Sequence, residues 1–492
     1  MRDSIRFMLG NELHEIRAGD PTQTVLDWLR LDQRMTGTKE GCAEGDCGAC
    51  TIVVGRLRDG ALCYEAINAC IRLLPTLDGC HVLTVEHLKC ADGSLHPVQQ
   101  AMADCHGSQC GFCTPGFVMS LYALWLNEER PSIARIDDAL AGNLCRCTGY
   151  QPIIEAARRM YELGAADADA GTGDRAGTAA KLAAFEDCET IRFGGSRRQF
   201  LAPATVDALA ALVIEYPDAT LLAGATDVGL WITKEMRVLD TVIYLGRIEA
   251  LQTIEDAGGH LRIGAMVSHT QARAALAMLH PQLGELLRRF AGEQIRNAGT
   301  VGGNIANGSP IGDLPPALIA LGAKLELRRG DERREIALED YFLAYKKQDR
   351  APGEFVEAVL VPKLAAAALF HVSKISKRFD EDISALCGAF HLTLDADSRI
   401  ATARVAFGGM AATPKRAPLT EAALTGHIWD EETVAAAGRA LARDYQPIND
   451  LRASAKYRLL AGANLLRRFH FETTWPDARA RVAGSIASHV DA

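Results

Sequence analysis

Residues 41–50 read GCAEGDCGAC, and the first third of the chain is built around them. Cys42, Cys47 and Cys50 stand in this one segment, separated by Gly41, Gly45 and Gly48, and Cys70 follows in INAC. A [2Fe–2S] cluster needs four thiolates around a compact, net-negative core. Three of them drawn from one short loop require sharp turns, and glycine permits positive φ and lets amide N–H groups approach the sulfides. The remote Cys70 closes the set. The competing reading is zinc, which typically takes two C-x2-C pairs or Cys/His pairs. The x4–x2 spacing with three glycines favours a cluster.

Spacing of C-x4-C-x2-C with a distant fourth cysteine is the plant-type ferredoxin arrangement. A second set follows in QCGFCTPG (109–116) and NLCRCTGY (143–150): Cys110, Cys113, Cys145 and Cys147, a C-x2-C with a C-x1-C. Each pair precedes a predicted helix. Thr114 is the expected N-cap with Pro115 at the first helical position, and Thr148 and Pro152 take similar parts before PIIEAARRM. Two helix N-termini would then face an anionic cluster. A C-x1-C pair strains a tetrahedral zinc site, so a second [2Fe–2S] cluster is expected. The other cysteines, Cys63, Cys80, Cys90, Cys105, Cys188 and Cys387, lack such spacing and read as buried, inert thiols.

Twelve of the 14 cysteines lie between Cys42 and Cys147. Such clustering in a long chain points to metal rather than to a disulfide framework. The N-terminus, MRDSIRFMLGNELHEIR, is interrupted by charges and has no signal-type apolar core. No run of 18 apolar residues suggests a membrane span. The expectation is a cytoplasmic protein. Net charge is −9 with no Lys/Arg-dense segment, which argues against nucleic acid.

The 492 residues predict about three or four domains. Residues 1–89 read as a small mixed α+β domain, with strands in IRFMLG, TIVVG and CHVLTV and a helical pattern in PTQTVLDWLRL. Residues 90–163 turn helical. Residues 164–187 contain an Ala/Gly/Asp stretch whose one bulky apolar residue is Leu182, and read as a flexible linker. Residues 188–366 alternate helical and strand-like runs. Residues 370–475 begin with strands (ALCGAFHLTLD, IATARVAFGG) and end in an amphipathic helix, AKYRLLAGANLLRRF, expected to pack on them.

Three segments after the linker are candidates for a nucleotide cofactor. In LLAGATDVGL an apolar strand runs into Gly224, Ala225, Thr226 and Asp227, whose amides and hydroxyl could cradle a pyrophosphate. In TVGGNIANGSPIGD, Gly302 and Gly303 allow close approach, Thr300 and Asn304 offer hydrogen bonds, and Asp313 could take a sugar hydroxyl. Lys374 is a candidate cation near flavin or phosphate. The bland readings are a small-residue turn, a surface Gly/Asn loop and a solvated lysine. None of the segments matches G-x-G-x-x-G, so a Rossmann dinucleotide site is disfavoured.

The two cysteine motifs, in this order and followed by these segments, resemble the molybdenum hydroxylases of the xanthine dehydrogenase and aldehyde oxidase family. The resemblance implies an α+β multidomain chain. It would hold a β-grasp ferredoxin domain (1–89), a four-helix [2Fe–2S] domain (90–163), a two-part FAD-binding domain of the vanillyl-alcohol-oxidase type (188–366) and a C-terminal α+β flavoprotein domain (370–475). By motif it implies FAD contacts at Leu221, Leu222, Ala223, Gly224, Ala225, Thr226, Asp227, Phe290, Thr300, Val301, Gly302, Gly303, Asn304, Asp313, Val356 and Lys374. Val356 stands where the family has leucine, and Ala225 where many relatives have asparagine. Gln109, directly before Cys110, would face the pterin of a partner subunit.

The same resemblance implies a separate molybdopterin-carrying large subunit in a dimer of heterodimers, and no catalytic residue on this chain. Electrons would run from the partner's molybdenum centre through the helical cluster, then the ferredoxin-type cluster, to FAD and NAD. The overall reaction would be xanthine + NAD + water → urate + NADH. Open alternatives are an aldehyde or another N-heterocycle as substrate, oxygen as acceptor, a stand-alone electron-transfer flavoprotein, and a cluster-based redox sensor.

Overall fold

Alternate residues of IRFML point inward: Ile5, Phe7 and Leu9 are buried in strand β1 (Ile5–Leu9). This strand pairs antiparallel with β2 (Glu12–Ile16) and parallel with β5 (His81–Leu83). Strands β3 (Thr51–Arg58) and β4 (Ala61–Asn68) complete a sheet of order β2-β1-β5-β3-β4. The mixed sheet is the expected β-grasp. Its helix is shorter than predicted. Helix α1 (Val25–Asp27), capped by Thr24, passes into a wider turn over Trp28–Asp32 in which Gln33 N donates to Trp28 O.

The computed structural model describes residues 1–90, 92–164 and 174–475. Helices α2 (Pro97–Asp104), α3 (Thr114–Asn127), α4 (Ile133–Leu140) and α5 (Gln151–Leu163) form the helical segment, with α3 buried along almost all its length. Of the expected linker, residues 165–173 lie outside the described residues. The rest differs from expectation. Helix α6 (Arg175–Ala183) starts where Asp174 accepts from Gly177 N at 2.8 Å, and it buries Leu182. One bulky apolar residue suffices here, because a pre-formed surface receives it; Arg175 stacks 5.7 Å above the Tyr64 ring.

Contacts divide the chain into two compact units. The first holds Met1–Ala250 and Gly292–Gly299. Besides the elements above it contains a sheet of order β6-β7-β9-β8, from β6 (Ile191–Gly194), β7 (Gln199–Ala202), β8 (Thr220–Leu222) and β9 (Thr241–Tyr244). The last three run parallel, connected by helices α7 (Val206–Glu215) and α8 (Val228–Thr233).

The second unit holds Leu251–Ala291 and the residues from Thr300 onward. Its five-stranded antiparallel sheet has Phe355–Pro362 at the centre, between His260–Gly264 and Lys324–Arg329. The wholly buried helix Leu314–Leu321 contributes to the same core. A four-stranded antiparallel sheet follows, led by Leu369–Ile375, Leu386–Leu394 and Ile400–Gly408. The final helix, Ala455–Thr474, packs Leu465, Leu466 and Phe469 into the core of this region, as its amphipathic pattern predicted. Among the described residues no helix is long and apolar enough to cross a membrane.

Candidate functional site

The turn that gathers the first thiols is made by Ala43, Gly45 and Gly48, with φ of 55°, 80° and 66°. Gly41 was expected among them but does not have positive φ. Its need is space, since a Cβ there would lie 2.8 Å from Cys47 Sγ. Side-chain hydrogen bonds link Cys42 to Cys47 and Cys70, and Cys50 to Cys70, so all four thiols converge. These bonds pull the Cys42 thiol well below its usual range and push Cys70 well above it. Glu44 N and Cys47 N both donate to Cys42 Sγ at 3.4 Å, and Asn68 Nδ2 donates to Cys50 Sγ at 3.8 Å. Four neighbouring thiols, two of them receiving N–H donors, fit a cluster, whose binding displaces thiol protons.

The second set is assembled by helix starts, though not as predicted. Helix α3 begins at Thr114, so Cys113 itself is the cap, and the Thr114 hydroxyl donates to Ser108 Oγ instead. Helix α5 is entered through Tyr150 at φ 70°, with Pro152 in its first turn. Thr148 lies too far upstream to cap it. Its hydroxyl accepts from Tyr150 N and sits 3.3 Å from Cys145 Sγ. Cys145 N in turn donates to Tyr150 Oη at 3.0 Å. The free Cys113 thiol lies beside Cys145, and that of Cys110 beside Cys147, within hydrogen-bond reach. Burial, then the Cys145 side chain, pushes the Cys113 thiol up to about 12.

The two sets differ in exposure. Cys50 and Cys70 are buried and Cys42 and Cys47 half-buried; in the other set Cys145 is buried and Cys113 half-buried, but Cys110 and Cys147 are exposed beside exposed Gln109, Phe112 and Leu144. Of the six remaining cysteines only Cys80 and Cys387 are buried; Cys63, Cys90 and Cys105 are partly exposed and Cys188 fully so, against expectation. Cys63 lies in strand β4, Cys105 caps the end of α2, and Cys90 and Cys188 lie in connecting segments, placements that spacing does not reveal.

The flavin segments fall in both units. In the first, Leu221 and Leu222 end β8, and Ala223 to Asp227 make the turn into α8. Gly224 is required: a Cβ there would lie 1.8 Å from Ala298 O. Ala225 takes φ 65° while 4 % exposed, a left-handed conformation that asparagine enters more readily than alanine. A close backbone crossing and a left-handed turn after a strand fit a cofactor cradle.

In the second unit Thr300 is the N-cap of helix Val301–Asn307, its hydroxyl accepting from Gly303 N at 3.0 Å. Val301 N and Gly302 N are committed to Val267 O and Ala265 O, so glycine at 302 serves a close crossing of backbone rather than an open amide. Asn304 Oδ1, in contrast, is buried without a hydrogen-bond partner among the described residues, an acceptor a ligand hydroxyl or N–H would satisfy. Lys374 is no solvated lysine. Its Nζ donates to Asp313 Oδ2 at 2.7 Å, and Ser384 donates to the other Asp313 oxygen. Phe290 packs against the His269 ring at 4.5 Å, and Val356 is buried, paired with Leu327.

Several participants escaped the motifs. Asn68, Tyr150 and Ser384 act through contacts made by folding, and only Tyr150, beside Gly149, carried a local signal.

Comparison with known proteins matches residues 84–158 to a [2Fe-2S] binding domain. Residues 193–364 match the FAD binding domain in molybdopterin dehydrogenase, and residues 371–473 the CO dehydrogenase flavoprotein C-terminal domain. The xanthine dehydrogenase of Emericella nidulans is 34% identical over 90% of this chain and 36% of its own length. The xanthine dehydrogenase/oxidase of Gallus gallus is 31% identical over 89% of this chain and 38% of its own. The chain thus spans about a third of the length of the curated relatives it matches. Carbon monoxide dehydrogenase of Hydrogenophaga pseudoflava is similar in structure, with a TM-score of 0.52 and 28% identity over 55% of this chain and 95% of the matched one.

Proposed function

Because this chain carries the iron–sulfur and flavin region of the molybdenum hydroxylases, we propose that it takes electrons from a molybdenum centre on a large partner subunit and delivers them to NAD, the substrate being xanthine. Cys110, Cys113, Cys145 and Cys147 would hold the receiving cluster, with Gln109 toward the partner's pterin. Cys42, Cys47, Cys50 and Cys70 would hold the inner one. FAD would lie on Leu221–Asp227, Phe290, Thr300–Asn304, Asp313, Val356 and Lys374. When bound, the clusters carry single electrons and the flavin exchanges one or two.

One observation carries the direction of flow: of the two thiol sets in this unit, only the one of Cys110, Cys113, Cys145 and Cys147 has exposed members, Cys110 and Cys147. The outer set opens at a surface bearing Phe112, 48% exposed, and Leu144, 55% exposed, apolar area of the kind that marks an interface. The inner set lies at the ends of β3 and β4, and α8, the helix that continues from the flavin turn, packs beside it; a Cβ on Gly229 would lie 2.7 Å from Ile71 O, next to Cys70. The boundaries 1–89, 90–163, 188–366 and 370–475 are proposed as the evolutionary modules of the chain. A second reading, another substrate in the same role, is favoured by the likeness to a carbon monoxide dehydrogenase.

The test is purification of the natural complex in the cytoplasmic fraction, followed by metal and flavin analysis and a substrate panel. Expected are about four irons and one FAD on this chain, two clusters' worth, molybdenum on the partner alone, and NADH formed with xanthine. Turnover of an aldehyde or another heterocycle instead would select the second reading. Molybdenum-free complexes would overturn both.

A further inference from the structure

Leu144 N donates to Cys47 O at 3.0 Å. Cys47 belongs to the inner thiol set, and Leu144 is bonded directly to Cys145 of the outer one. A single hydrogen bond, with covalent chain on either side, therefore joins the two sets. The backbones meet because two positions, Gly48 and Gly116, lack side chains. A Cβ on Gly48 would lie 2.2 Å from Gly142 O, and one on Gly116 2.2 Å from Gly48 O.

Beside this bridge lies a closed group of polar side chains. Asn143 Nδ2 donates to Gly48 O at 3.1 Å and Thr51 Oγ1 at 3.4 Å. Asn143 Oδ1 accepts from Ser120 Oγ at 2.7 Å and from Gln294 Nε2 at 3.0 Å. Gln294 Nε2 also lies 3.2 Å from Thr51 Oγ1 and 3.1 Å from Ser120 Oγ. All four residues are at most 4% exposed. Apolar side chains of the same volume often fill such a space without loss of stability, whereas a polar network, here with only Gln294 Oε1 left without a partner among the described residues, fixes one arrangement. What it fixes is the carbonyl of Gly48, the residue after Cys47, against the residue before Leu144.

We propose that Asn143, anchored by Gln294 and Ser120, is a positioning residue that holds the Cys47–Leu144 bridge and so sets the electronic contact between the two clusters. The proposal rests on the cluster assignment above.

The test uses the full chain carrying its clusters. Low-temperature EPR of the reduced protein reads the splitting that two neighbouring paramagnetic clusters impose on each other, and pulse radiolysis reads how fast an electron redistributes between them. Asn143→Ala is expected to keep both cluster signals, lose splitting and slow redistribution severalfold. Asn143→Asp, equal in size but unable to donate to Gly48 O, is expected to do the same. Unchanged splitting and rate, with only a lower melting temperature, would overturn the proposal. If the Asn143 variants do not load both clusters, Ser120→Ala decides: it leaves every loop residue in place, and an unchanged splitting and rate there overturns the proposal. Wild-type protein lacking two distinct cluster signals would refute the cluster assignment itself.

Discussion

Lys374 Nζ and Asp313 Oδ2 lie 2.7 Å apart, with 3% and 4% of the two side chains exposed. Lysine is rarely buried this deeply without a partner, and the charges neutralise each other where water cannot. Ser384 occupies the other carboxylate oxygen, so the pair is locked into one geometry.

Removing one member should therefore cost more than removing both. Lys374→Met leaves an unpaired buried carboxylate and is expected to cost about 3–5 kcal/mol. Lys374→Met with Asp313→Leu should recover most of that loss in chemical denaturation, while FAD content stays low in both. A double variant as unstable as the single one would show that packing, not charge, dominates.

His81 gives the first unit a pH dependence. Its Nε2 donates to Gly10 O at 2.9 Å and its Nδ1 accepts from Tyr64 Oη at 2.9 Å, a neutral ring in a closed site. Burial lowers its pKa to about 4. The unfolded chain thus takes up the proton first, near pH 6.5. The contribution is fully present above pH 6.5 and is lost as pH falls to about 4, up to about 3 kcal/mol. Unfolding midpoints of His81→Gln, measured from pH 7 to pH 4, should fall less than those of the wild type.

Asn68 should tune the inner cluster. Its N–H toward Cys50 Sγ stabilises added negative charge, so it favours the reduced form. Asn68→Ala should lower the potential of the cluster held by Cys42–Cys70 and leave the other unmoved in the same redox titration. Equal shifts in both would point to a global change.

Gly224→Ala places a methyl group against Ala298 O and should cost about 1–3 kcal/mol and empty the flavin site. Gly195→Ala, with nothing within 4 Å of the added carbon, is the matched control and should leave melting temperature and the flavin absorbance unchanged.

The grouping of the cysteines into two sets was legible because it is written in local spacing, and the long strands because their apolar alternation is local too. What stayed hidden is tertiary. Lys374 and Asp313 are 61 residues apart, and no pattern within either segment announces the other. Thr114 looked like a cap by residue type, yet the helix begins one position earlier than that reading requires, with the cap at a thiol. Composition made Arg175–Ala183 a linker, but one leucine and a pre-formed surface made it a helix. Gln294 sits in no motif at all.

The return of Gly292–Gly299 into the first unit has a consequence for synthesis. Gln294, Arg296 and Asn297 are interior residues of that unit, with Gln294 bonded to Thr51 and Asn297 Nδ2 to Ala66 O. A nascent chain that has passed both cysteine motifs is still missing them. The ribosome must deliver residue 299 before this interior can close, so a fragment cut after residue 250 would hold all eight cysteines of the two sets around an unfinished core.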